Sequence, residues 1–171
     1  MQALTQPQPL IEQPQALASD EAAARPFYVC TFRLGEALYG VVIAAVKEVN
    51  ILPPLTPIPH APNSVCGYVN LRGQILLCLD LKQMLGLGPS TITAQTRLVV
   101  FQASLGEPFG VLVDQIGDIV QVQANQLEPR PTDSDQADPS QLLVGVAKLE
   151  DELLLLVNPR KLLPLVEQAT R

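Results

Sequence analysis

The stretch Gly67-Tyr-Val-Asn-Leu-Arg-Gly-Gln-Ile-Leu-Leu-Cys-Leu-Asp-Leu81 constrains this chain more than any other, because it reads as a single β-hairpin. Residues 68–71 form a short strand, Arg72-Gly73 the reversal, and residues 74–79 the return strand. Gly73 supplies the positive φ that a tight turn between twisted strands requires. The return strand is an unbroken apolar run of strand length, as expected when both of its faces are covered. Arg72 is the one charge near the tip, with apolar sequence on either side. Its guanidinium must find a carboxylate or lie on a surface built for contact.

The rest of the chain follows the same all-β pattern. Residues 27–34 are rich in aromatic and β-branched side chains, Gly35-Glu36 turns, and residues 37–43 return. Residues 43–49 place apolar side chains at 43, 46 and 49, which predicts one helical turn with Val46 and Glu48 on different faces. Five prolines between 50 and 62 dictate a stiff extended loop, and His60 lies within it as an exposed side chain. Asp80 is placed to cap a helical turn over residues 81–85. Strands follow at 97–103 and 109–113, and Gly117 breaks the run before a further strand at 118–122. Asp114 and Asp118 flank that glycine, where aspartates usually satisfy backbone amides. Residues 128–141 read as a solvated loop carrying Asp133, Asp135 and Asp138. A hairpin then spans 142–157 through Glu150-Asp151, and Asn158-Pro159 opens a terminal helix that Pro164 shortens or kinks. Residues 1–25 read as a disordered Gln/Pro-rich tail, 26–166 as the folded domain, and 167–171 as a short tail.

Composition removes several functions. The net charge of −6 offers no basic stripe for tracking phosphates, so nucleic-acid binding is not expected. Cys30, Cys66 and Cys78 form no C-x-x-C pair and suit small packing residues in a reducing compartment. No signal-peptide pattern and no span-length apolar stretch are present, which predicts a cytoplasmic protein without membrane insertion. No set of residues supplies nucleophile, base and oxyanion donors, so no catalytic site, cofactor or metal is expected. An enzyme using Cys66 or Cys78 with His60 would lack an orienting carboxylate in any recognisable motif.

Taken together, Tyr39-Gly40, Val46-Lys-Glu48-Val49, the Gly67 to Gly73 segment, Leu79-Asp-Leu81, Phe109 to Asp114 and Leu155 to Asn158 resemble the CheW family of chemotaxis coupling proteins. The resemblance covers residues 27–163. It implies two small five-stranded β-barrel lobes sharing a core, with short helical turns and a C-terminal helix. It further implies an adaptor that binds a chemoreceptor's cytoplasmic coiled-coil tip and the regulatory domain of a CheA-type histidine kinase, with CheW-like self-association in arrays. Carried over by position, Val46, Glu48, Arg72, Leu98 and Ile119 fall on the receptor-binding surface. Asn50, Ile51, Leu52, Pro53 and Pro54 fall where the kinase binds. The alternatives are a CheW-like module of a twitching or phototaxis pathway and a receptor-independent modulator of the kinase.

Overall fold

The computed structural model describes residues 25–130 and 139–169, so the reading of the N-terminal tail and of the acidic tract 133–138 lies outside the described residues. Among the described residues eleven strands form two sheets. One contains β1 (Pro26–Leu34), β2 (Ala37–Val42), β8 (Gln115–Gln123), β9 (Leu127–Pro129), β10 (Leu143–Lys148) and β11 (Leu153–Val157), in the order β8-β1-β2-β11-β10-β9. The other contains β3 (Val46–Ile51), β4 (Val65–Leu71), β5 (Gln74–Asp80), β6 (Arg97–Phe101) and β7 (Phe109–Val113), in the order β3-β6-β7-β5-β4. Each sheet is two antiparallel groups set side by side through one parallel contact: β8-β1-β2 beside β11-β10-β9 through β2 on β11, and β3-β6-β7 beside β5-β4 through β5 on β7.

The lobes are interlocked by an exchange of strands. β3 follows β2 in sequence but pairs with β6 in the other sheet, while β8 follows β7 and pairs with β1. Each ladder is open, yet its edges are joined by continuous chain. β8 runs through a 3-10 turn at Ala124–Gln126 into β9 on the opposite edge. β3 runs into the proline loop, where Thr56 exchanges two 2.8 Å backbone bonds with Tyr68 of β4. The all-β two-lobe architecture therefore holds, with a sixth strand in one sheet because its bent edge strand is divided in two.

Three apolar clusters explain why so many strands are apolar on both faces. Val29, Leu38, Val122, Leu154 and Leu156 fill the first lobe, and Val69, Leu76, Cys78, Leu98, Val100 and Leu112 fill the second. Residues on the opposite faces of the same strands, including Cys30, Phe32, Val99, Phe101, Phe109, Val111 and Val157, point the other way into a larger core between the sheets. Strand alternation sends odd and even residues to different cores, so no polar face remains on the central strands. Asp80 caps α1 (Leu81–Met84) by accepting from the Gln83 amide at 3.3 Å, and it also binds Ser90. Asn158 accepts from the Arg160 amide at 3.1 Å ahead of Pro159, and α2 (Leu162–Ala169) then packs Leu162 and Val166 into the shared core.

Several sequence expectations need correction. Only Ile43–Ala45 forms the helical turn, and residues 46–51 are strand. Gly117 does not end a strand, because β8 continues through it at a bulge opposite β1. There a Cβ would lie 2.5 Å from Thr31 Oγ1, and the Thr31 hydroxyl donates to the Asp118 carbonyl. Asp114 accepts from the Gly35 amide at 2.7 Å and pairs with Lys82 at 3.3 Å, while Asp118 is exposed. Residues 127–129 form β9 instead of loop, held by β10. Pro164 does not interrupt α2, since it lies in the first turn, where its missing N–H removes no intrahelical bond. The helix runs to Ala169, into the segment read as tail.

Candidate interaction surface at the seam of the second lobe

The hairpin turn is built as the sequence requires, with one addition. Both central residues have positive φ, 52° at Arg72 and 87° at Gly73, the geometry of a primed two-residue turn. Asn70 Oδ1 accepts the Gly73 amide at 2.9 Å and secures the reversal. A left-handed conformation is ordinary for glycine and unfavourable for arginine, by roughly 1–2 kcal/mol. The turn thus holds Arg72 in strain at a position where asparagine or glycine would sit without it.

Arg72 donates to Glu48 Oε2 across the gap between the two edge strands of the five-stranded sheet. A β-bulge makes this pairing available. Val46 opposes Phe101 and turns toward the shared core, whereas Glu48 opposes Val100 and Asn50 opposes Leu98. The extra residue reverses the alternation, so Glu48 and Asn50 face the mouth of the second lobe. Val46 and Glu48 do lie on different faces, as expected, but through a bulged strand and not a helical turn. The Glu48 side chain is 24% exposed and that of Arg72 69% exposed. The Arg72 hydrogen bond and charge hold the Glu48 carboxyl below its ordinary 4.5, against a smaller upward push from burial. The Asn50 amide also favours the carboxylate, although its buried Nδ2 makes no hydrogen bond of good geometry.

The register also defines an apolar surface. The outer side of the five-stranded sheet packs on its partner sheet over β5, β6 and β7, but it is uncovered near the edges. Val49 and Ile51 are exposed there on β3, and Tyr68 and Ile75 on β4 and β5. Ile51 is 74% exposed. Of its expected companions, Pro54 is exposed, Asn50, Leu52 and Pro53 are half-buried, and Leu52 packs on the second-lobe core. Val49, Tyr68 and Ile75 were missed by the sequence reading. The signal was the alternation of Tyr68 and Asn70 against Val69 and Leu71, legible once the hairpin register is known.

The expected receptor positions fall in different surroundings. Glu48 and Arg72 are bonded. Val46 is half-buried against the shared core, and its carbonyl accepts from Gln102 Nε2 at 3.2 Å. Ile119, 61% exposed, stands opposite Cys30 on the other sheet. Leu98 is 0% exposed and lies in the second-lobe core, so it cannot line a surface. Strand-length apolar runs do not reveal which face meets which core.

Residues 29–167 match the family described as CheW-like domain. The chain belongs to the CheW family. It is similar to the chemotaxis protein CheW of Rhizobium meliloti (strain 1021), 33% identical over 80% of this chain and 87% of the relative. It also resembles the protein FrzA of Myxococcus xanthus, 31% identical over 90% and 94% of the two chains. Among solved structures, the scaffolding protein TtCheW of Thermoanaerobacter tengcongensis superposes with a TM-score of 0.70 at 30% identity, covering 78% of this chain and 90% of that one. As a CheW-family protein the chain is a signal-transduction adaptor of the chemotaxis type, and the family is one of scaffolds and not enzymes. Among the described residues no helix is long and apolar enough to cross a membrane.

Proposed function

We propose that this adaptor couples a chemoreceptor's cytoplasmic coiled-coil tip to the regulatory domain of a CheA-type histidine kinase, in the cytoplasm at membrane-associated arrays in which CheW-like domains also associate with one another. The observation that carries the proposal is Arg72. It is strained at its backbone, mostly exposed at its guanidinium, and oriented by Glu48 at an incompletely closed seam. Strain of this kind persists where the surrounding structure imposes it, and it gathers at recognition sites. The receptor would be met by Arg72, Glu48, Val46 and Ile119, with Leu98 supporting them from the core. A receptor helix would lay its apolar face against this side while the charges set its register. The kinase would be met by the exposed edge at Ile51 together with Asn50, Leu52, Pro53 and Pro54, enlarged by Val49, Tyr68 and Ile75.

Two substitutions separate the contacts. Arg72→Asn keeps a residue that tolerates the left-handed turn and removes only the guanidinium. It should weaken binding to a receptor cytoplasmic fragment by about tenfold and leave binding to the kinase regulatory domain intact. Ile51→Asp should do the reverse. If each substitution weakened both partners equally, the division into two faces would be wrong. A second reading is service of the same adaptor in a twitching or phototaxis pathway. Co-purification of native receptor and kinase partners distinguishes the two.

A further inference from the structure

Two of the three cysteines are brought together below the Arg72 turn. The β4–β5 register passes from Val65 opposite Leu79 to Gly67 opposite Cys78, so Cys66 is the extra residue of a bulge. Two residues of a bulged strand oppose one on its neighbour. Here Cys66 and Gly67 oppose Cys78, and Gly67 has no side chain because the Thr56 carbonyl lies against it. Cys66 is thus the side chain that the bulge offers to Cys78, and both belong to the same apolar cluster. Both cysteines pack on the second-lobe core, with Cys78 fully buried and Cys66 partly exposed. Cys30 sits in the shared core between the sheets, apart from them. Gly67 is the registered partner of Cys78, and Cys66 is its neighbour in the bulge; a side-chain hydrogen bond between Cys66 and Cys78 brings the two sulfurs into contact.

We propose that Cys66 and Cys78 are a dithiol that closes to an intramolecular disulfide when the protein meets a small-molecule disulfide. Cys66, the accessible member, reacts first. Its thiolate attacks one sulfur of the reagent, the reagent's S–S bond breaks, and the departing thiolate takes up the proton Cys66 released. Cys78 then attacks the Cys66 sulfur and displaces the second reagent thiol, which leaves with the Cys78 proton. Two protein thiols are oxidised by two electrons, and the reagent is reduced to two thiols. In the reduced protein the hydrogen bond to Cys66, with burial reinforcing it, holds the Cys78 thiol protonated, so Cys78 does not attack first. That bond is lost once Cys66 is in the mixed disulfide, and Cys78 can then give up its proton and attack. The product would clamp the base of the hairpin that presents Arg72. This inference stands apart from the partner assignment.

The test uses the full chain, glutathione disulfide as reagent, and thiol counting under denaturing conditions with intact mass. Free thiols should fall from three to one with no glutathione retained, and a dithiol reductant should restore all three. The oxidised protein should melt roughly 5–10 °C higher, and the Arg72 and Gly73 amides should exchange more slowly. Cys78→Ala should stop at a lasting glutathione adduct on Cys66, Cys66→Ser should take up no glutathione at this pair, and Cys30→Ser should still close. Cys66→Ser keeps the buried cysteine, so it remains informative if Cys78→Ala folds poorly. A lasting adduct on the unaltered protein, a disulfide-linked dimer, or a bridge involving Cys30 would overturn the proposal.

Discussion

The two lobes solve the same problem, closing a curled sheet, in different ways. In the first, the bent edge strand turns at Ala124–Gln126, where Gln126 Oε1 accepts the Gln123 amide at 2.9 Å, and resumes as β9 with three register pairs to β10. In the second, the chain leaving β3 carries Pro53, Pro54, Pro57, Pro59 and Pro62, which lack N–H donors, and closure is reduced to the Thr56–Tyr68 bridge. Glu48 and Arg72 complete that seam with side chains. The first lobe has a comparable ion pair, Arg33 with Glu152, but it is bidentate at 2.7 and 2.8 Å, and Arg33 also donates to the Glu36 carbonyl. One pair fastens neighbouring turns. The other leaves a guanidinium largely in solvent beside uncovered aliphatic side chains. On the proposed reading, incomplete closure keeps an edge available for partners.

This contrast can be broken at several points. The largest effect is expected at the cores: Leu98→Ala should destabilise the protein by about 3–4 kcal/mol, much as Leu154→Ala should in the first lobe. Chemical denaturation measures both. Loss of receptor binding by Leu98→Ala without loss of stability would return Leu98 to a contact surface. Next come the bulge glycines, each under a carbonyl from the closing segment, Thr56 for Gly67 and Glu128 for Gly145. Gly67→Ala should cost about 3 kcal/mol, because φ is also +140° there, and Gly145→Ala about 2 kcal/mol. A smaller penalty at Gly67 than at Gly145 would mean that the second seam yields easily.

The smallest effects concern the charges. Glu48 and Glu152 both have carboxyls held below the ordinary 4.5, each chiefly by its arginine's hydrogen bond. A depressed folded-state value adds stability that is present above about 4.5 and is lost as the pH falls through the folded value. NMR titration should show Glu48 moving up toward 4.5 in Arg72→Ala while Glu152 stays in place. Arg72→Asn should leave the melting temperature within about 2 °C, since relief of backbone strain offsets the lost exposed pair. A large drop would make Arg72 a structural staple like Arg33.

Local signals announced the local features. The hairpin, the Asp80 and Asn158 caps and the β10–β11 reversal were legible because each depends on residues a few positions apart. Features set by distant pairing were not. Leu127-Glu128-Pro129 is too short to look like a strand and becomes one only against β10. Residues 46–49 resembled a helical turn because the bulge opposite Phe101 and Val100 disrupts the two-residue period. Gly117 looked like a break because its reason for being glycine is Thr31, on another strand. The candidate pair was legible as two charges, Glu48 and Arg72, through the resemblance. The strain at Arg72 and the burial of Leu98 required the register of the whole sheet.

The exchange of β3 and β8 has a consequence for how the chain comes into being. Thr31 and the Asp118 carbonyl it bonds are 87 residues apart, so the outer edge of β1 stays bare until well over half of the domain has left the ribosome. Neither half can complete its own sheet while it waits. Closing such a long loop is entropically costly and slows folding, and an unpaired strand edge invites association with other chains. The nascent adaptor thus passes through a stage at which it would be sticky toward copies of itself, and it becomes selective only when the last exchanged strand is home.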